Sequence, residues 1–223
     1  MDLQEFVTSN EPDESSARFE LENSKLLDIE VEGSIMTKAG AMVAHDGNLS
    51  FTGKSSAEGG ITGFIKQAAT SEGTPVMEVE GQGHVYLADQ GKRIQPLALE
   101  EGEAISVNGN DVLAFENSVD YSIGTIGSIG GAQAAGLTNV YLTGPGHVAI
   151  TTHGDPIVLQ PPIKTDPSAT VAWSDNLSPS IDTNRSLSDA IGQSSGERYQ
   201  MNFSGTGGFV VVQPYEEGPQ EQI

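Results

Sequence analysis

One nine-residue pattern occurs three times in this chain, and it constrains the fold more than any other feature. Val79–Leu87 (Val-Glu-Gly-Gln-Gly-His-Val-Tyr-Leu) matches Leu142–Ile150 (Leu-Thr-Gly-Pro-Gly-His-Val-Ala-Ile) and Phe203–Val211 (Phe-Ser-Gly-Thr-Gly-Gly-Phe-Val-Val). The copies lie roughly 60 residues apart, a period that signals one supersecondary unit used repeatedly. A second pattern interleaves with the first: Met42–Leu49, Val112–Val119 and Thr170–Leu177 each place a small Ala (Ala44, Ala114, Ala172) before an aromatic residue or His. Two independent patterns in the same cyclic order argue against chance matching of Gly-turn-strand text. They predict three related β units of about 60 residues, none able to bury a core alone.

The residues around these motifs alternate apolar and polar in short runs, as in Leu27/Ile29/Val31, Val85/Leu87 and Val148/Ile150. Gly, Asn and Asp break the runs about every ten residues, which is the text of an all-β protein. The fold expected is a double-stranded β-helix or β-sandwich-like body. Paired glycines before a strand permit positive φ and close backbone approach. Gly81, Gly83, Gly144, Gly146, Gly205 and Gly207 are therefore read as structural turns. Ala44, Ala114 and Ala172 are read as repeat core, where strands cross closely. Trp173, the single tryptophan, is read as core rather than as a ligand platform.

Of 223 residues, 31 are acidic and 10 basic, giving a formal charge of −21 with no cysteine. Such a chain has no disulfide framework, thiolate metal site or cysteine nucleophile. It also lacks the basic stripe that a phosphate backbone requires, so nucleic acid is disfavoured. The acidity suits a cell of molar internal salt, where repulsion is screened within about 3 Å; an acidic protein of an ordinary cell is the alternative. No apolar run approaches the roughly 20 residues of a membrane-spanning helix, and the acidic start is opposite to a targeting peptide. A cytoplasmic protein without membrane insertion is expected. Residues 1–17 and 214–223 read as disordered acidic tails flanking a single domain at 18–213.

The chemistry that the motifs offer mostly fails on context. Gly53-Lys54-Ser55 resembles the end of a phosphate loop, but Asn48 stands where a glycine is needed and no helix opens afterwards. Gly192–Gly196 fits the nucleophile-elbow pattern, yet a helical stretch precedes it and all four His lie upstream. Weak helical spacing occurs at 61–69 and 186–191. His84, His147 and Gly208 fall at one repeat position, so the two histidines should not converge. Local spacing assembles no three-ligand metal site from His45, His147 and His153. Glu100-Glu101 and Glu216-Glu217 are read as solvated faces. No catalytic, cofactor or metal residue is assigned.

The run Gly136–Val148, the segment Ala39–Ala44 and Asp111–Phe115 before Val119-Asp120-Tyr121 resemble the altered-inheritance-of-mitochondria (mitochondrial biogenesis) family. That family is placed in the superfamily resembling the tryptophan RNA-binding attenuation protein. The likeness spans Arg18 to Gln213, and the acidic balance would suit a haloarchaeal member. The resemblance implies a β fold of three related units and a tendency to form homo-oligomers, a trimer being favoured. It carries over no catalytic residue, membrane anchor, RNA contact or tryptophan contact. The function expected is a non-enzymatic oligomeric scaffold or interaction protein with an unknown protein partner and no cofactor. The Gly-rich segments 57–63 and 124–136 are its candidate contacts. A small-ligand or metal-binding β barrel is the alternative, and RNA binding a more distant one.

Overall fold

The structure, a computed structural model, describes residues 1–12, 17–53, 76–126, 138–183 and 199–217. The phosphate-loop-like segment from Lys54, the elbow-like Gly192–Gly196, both weak helical stretches and the Gly-rich contacts at 57–63 and 127–136 lie outside the described residues. After a short helix α1 (Leu3–Thr8), the chain is built of strands: β1 (Phe19–Asn23), β2 (Leu26–Lys38), β3 (Met42–His45), β4 (Asn48–Gly53), β5 (Val76–Leu87), β6 (Arg93–Leu99), β7 (Ala104–Asn108), β8 (Val112–Glu116), β9 (Asp120–Thr125), β10 (Thr138–Thr143), β11 (Gly146–Thr152), β12 (Ile157–Leu159), β13 (Ile163–Thr165), β14 (Thr170–Ser174), β15 (Ser180–Thr183), β16 (Tyr199–Phe203) and β17 (Val210–Val212). They form three antiparallel sheets. The first runs β3-β5-β2-β8-β11-β6, with β1 on β2 and β4 on β5. The second runs β12-β17-β14-β7-β10-β9, and the third β13-β16-β15. The protein is all-β, with a sandwich-like arrangement of sheets.

Three ladders share one register. Met42, Ala44 and His45 face Leu87, Tyr86 and Val85. Val112, Ala114 and Phe115 face Ile150, Ala149 and Val148. Thr170, Ala172 and Trp173 face Val212, Val211 and Val210. Each slips at the same step, leaving Val43, Leu113 or Val171 as the extra residue of a bulge. Beyond each bulge a side chain closes the turn. Asp46 Oδ1 accepts the main-chain N–H of His84 at 3.0 Å, Glu116 Oε2 that of His147 at 2.7 Å, and Ser174 Oγ that of Phe209 at 3.0 Å. The third copy is thus offset by one residue from the sequence match. Phe209, not Gly208, takes the place of the two histidines, because an added glycine lengthens that loop.

The neighbours of these ladders differ. β8 is flanked on its other side by β2, and β14 by β7. Among the described residues β3 is paired with β5 alone. Ala114 and Ala172 are consequently fully buried, whereas Ala44 is exposed. The expectation that Ala44 belongs to the core is corrected: its sequence position matches, but among the described residues no second strand covers it, and it is exposed. Gly81 and Gly83 are corrected likewise. They lie inside the continuous strand β5, facing Gly33 and Val31 of β2, and so are not turns, although both have the expected positive φ and the main chain of Asp46 and Asn48 packs closely on them. Gly144 and Gly146 do mark the passage from β10 to β11, and Gly205 and Gly207 that from β16 to β17.

Apolar residues collect in three clusters. One is centred on Phe115, Leu142 and Val171, one on Ile29, Val85 and Leu113, and one on Trp173, Met201 and Phe203. The rings of Trp173 and Phe203 meet at 5.7 Å, tilted by 60°. Of the tails expected to be disordered, residues 1–12, 17 and 214–217 are described. α1 is capped by Asp2, whose carboxylate accepts the Glu5 N–H at 2.8 Å, and it buries no residue. At the other end residues 213–217 are docked against the body.

Candidate functional site

The densest polar cluster forms where the end of β2, the β5–β6 turn, the 3-10 turn at Gly109–Asp111, the end of β11 and residues 213–217 converge. The β5–β6 turn carries it. Lys92 N–H donates to the Asp89 carbonyl at 2.8 Å, and the two residues between them, Gln90 and Gly91, both have positive φ. That tight turn aims Asp89 and Lys92 inward, leaving them 5% and 2% exposed. Lys38, at the end of β2, donates to Asp89 Oδ2 and to the Asn110 carbonyl, each at 2.8 Å. Lys92 Nζ lies 2.8 Å from Asp111 Oδ1 and 4.0 Å from Asp89 Oδ2, and it also contacts Glu217 Oε1. Thr151 Oγ1 donates to Asp89 Oδ2 at 3.3 Å. His153 Nε2 stands 3.5 Å from Glu217 Oε1.

Charges this deep are tolerated because they are paired; losing one partner of such a pair typically costs about 3–5 kcal/mol. Burial pushes the Asp111 carboxyl up to about 7 against the pull of Lys92, with Glu217 adding to the rise. Burial works against the Lys92 ammonium, but Asp111 and then Glu217 outweigh it and hold the group above the ordinary lysine range. Lys92 is therefore a permanent cation at neutral pH. It can hold an anion but is not a free amine nucleophile. Burial and the Lys92 charge keep the His153 imidazole below its usual value.

Two carboxylate–imidazole pairs lie apart from this cluster. His84 Nδ1 meets Asp28 at 3.0 Å. Burial lowers its pKa, but the Asp28 hydrogen bond and charge prevail, and His84 is raised above its ordinary value. His147 Nδ1 lies 3.1 Å from Glu116 Oε2, stacked at 5.6 Å on Phe19, while Arg18 Nη1 holds Glu116 Oε1 at 2.6 Å. Burial raises the Glu116 carboxyl, yet the His147 N–H, its ring and Arg18 leave it below its ordinary range. His45 packs instead on Phe51, with ring centroids 5.1 Å apart. Among the described residues no group of three or more potential ligands could hold a metal ion.

The sequence reading singled out neither Lys38, Asp89 nor Lys92, gave Asp111 no site role, and assigned Glu217 to a solvated face. That assignment is corrected: the Glu217 side chain is 10% exposed and reaches a buried lysine. Lys92 stands in the polar run Asp89-Gln90-Gly91-Lys92-Arg93, so nothing in its local sequence marks it for burial.

Residues 19–215 match the family described as mitochondrial biogenesis AIM24. The chain belongs to that family. The match contains every residue of the cluster but Glu217. A crystal structure of a Streptococcus pyogenes protein shares the fold, with a TM-score of 0.69 and 23% identity, covering 89% of this chain and 92% of that one. At that identity the likeness concerns the fold alone. No curated protein matches this AIM24-family chain. None of its helices, among the described residues, is long and apolar enough to cross a membrane.

Proposed function

We propose that this AIM24-family protein is a non-enzymatic, homo-oligomeric β scaffold. The observation that carries the reading is β3, whose four residues are all exposed and which, among the described residues, pairs with β5 alone, while its counterparts β8 and β14 are covered on both sides. Met42 and Val43 are 37% and 58% exposed there, and Ile157 and Val158 on edge strand β12 are 57% and 64% exposed. An uncovered apolar edge invites pairing with another chain. Two different edges favour a head-to-tail contact, β3 of one copy on β12 of the next, which closes into a ring when the rotation allows. A trimer is the ring we favour. The shared register of the three ladders supports descent of the body from one β unit of about 60 residues. The charge of −21 supports a cytoplasmic protein adapted to molar salt.

Light scattering after size exclusion in molar salt, with absorbance at 260 and 280 nm, tests the reading. A closed oligomer that dissociates in Val43→Lys and in Val158→Lys, each charged at one edge, is expected. A monomeric wild-type chain overturns it, as does a peak carrying nucleic acid, which would point to RNA binding instead.

A further inference from the structure

Residues 213–217 follow the last strand and are fastened one by one. Gln213 N–H donates to the Ala169 carbonyl at 2.9 Å, and the Gln213 side-chain oxygen accepts the His153 N–H at 2.8 Å. The Tyr215 ring lies 4.2 Å from the His153 ring, on a residue that is itself 53% exposed. Glu217 N–H donates to the Ser168 carbonyl at 3.0 Å, and its carboxylate enters the polar cluster beside Lys92 and His153. Between these anchors Pro214, Tyr215 and Glu216 are exposed.

The charge balance of the cluster sets Glu217 apart. Lys38 pairs with Asp89 and Lys92 with Asp111, so two ammonium groups already face two carboxylates within the body. Glu217 brings a third carboxyl group to a site whose two lysines already have partners within the body. We propose that Lys92, backed by Asp111 and rimmed by His153, is a carboxylate-binding site which the chain's own Glu217 occupies, and which in its place takes an acidic peptide segment bearing an aromatic residue two positions before the carboxylate. The geometry specifies that ligand. Lys92 supplies a fixed cation, His153 a flat ring for the aromatic residue, and the Ser168 carbonyl an acceptor for the ligand's main-chain N–H. The occupying segment is short, is exposed at Pro214, Tyr215 and Glu216, and lies beyond the last paired residue of β17, so it can leave without unpairing any strand.

The test uses the full chain and a synthetic peptide of residues 213–217 blocked at both ends, followed by titration calorimetry. In Glu217→Gln the resident segment loses its charge, and the peptide should bind at a concentration at least about tenfold lower than in the wild type. A control peptide with Gln in place of its final Glu should not bind. Tyr215→Ala keeps every charge, loosens the resident segment at its ring, and should likewise admit the peptide more readily than the wild type. Equal titration of wild type and both variants overturns the proposal, as does equal binding of the two peptides. A Glu217→Gln chain that no longer folds makes the carboxylate a structural counter-charge and overturns it too.

Discussion

The Lys92 ammonium and the Asp111 carboxylate meet at 2.8 Å with side-chain exposures of 3% and 1%. This contact ties the β5–β6 turn to the 3-10 turn before β8, and it makes stability depend on pH. The Asp111 carboxyl, pushed up to about 7, holds a proton in the folded chain that the unfolded chain releases near 3.8. Its stabilising effect is complete below 3.8 and lost as pH rises to about 7. His84, raised above 6.5, acts in the same direction, its share being lost as pH rises through the folded value. His153, lowered from 6.5, opposes them, and Glu116, lowered from 4.5, acts only at more acid pH. The unfolding free energy should therefore fall as pH rises from about 4 to about 7, by an amount on the order of 1–4 kcal/mol, and the urea midpoint should fall with it. In Asp111→Asn that slope should flatten. An unchanged slope would mean that Asp111 ionises normally in the fold.

The histidines give a site-resolved check. Nuclear magnetic resonance titration should place His84 above its ordinary value of 6.5 and His153 below it. Asp28→Asn should bring His84 down, since the Asp28 hydrogen bond and charge outweigh the burial that opposes them. A His84 that already titrates below 6.5 in the wild type would show that Asp28 does not hold it.

Gly146 occupies a φ of 147°, and a Cβ there would come within 2.8 Å of Val119 Cγ2 and close to the Glu116 carboxylate. Gly146→Val combines a disfavoured backbone region with a clash in the turn. It should lower stability by about 2–4 kcal/mol in chemical denaturation. Gly102, at φ 80° with open space around it, is the comparison. Gly102→Ala should cost only about 1 kcal/mol. Equal losses at the two positions would deny that the β10–β11 passage is tightly packed.

The two alanines Ala172 and Ala44 share one ladder position but not one environment. Ala172→Leu overfills a site of 0% exposure between β7 and β17 and should destabilise by about 1–3 kcal/mol. Ala44→Leu lies on an exposed strand edge and should leave the melting temperature of the isolated chain nearly unchanged. If both melt alike, the asymmetry of the ladders is wrong.

Salt provides the last check. With a formal charge of −21, self-repulsion in dilute buffer should loosen the fold, and the denaturation midpoint should climb steadily towards molar potassium chloride. A midpoint that ignores salt would remove the case for adaptation to a saline interior.

Much of the β architecture could be read from local text. Alternation at Leu27/Ile29/Val31 fixes which side chains face the core, because a strand turns successive residues to opposite faces. The Ala motifs and Gly-x-Gly motifs predicted recurring β units but not their pairing; the structure lays each Ala-motif strand against the strand after a Gly-x-Gly, with a bulge at Val43, Leu113 or Val171. The alternation and the motifs depend on residues close in sequence. Whether a given ladder is central or at an edge depends instead on which distant strand lies beside it. Ala44 and Ala172 therefore carry the same signal and opposite burial. The Lys92 cluster is the extreme case. Its contacts to Asp111 and Glu217 span 19 and 125 residues, and no spacing rule links positions so far apart. Sequence alone determined the strands and their faces, through side-chain period and glycine conformation. Only tertiary packing decided which edge stays open and which charges share a buried site, because both follow from chain segments brought together by folding.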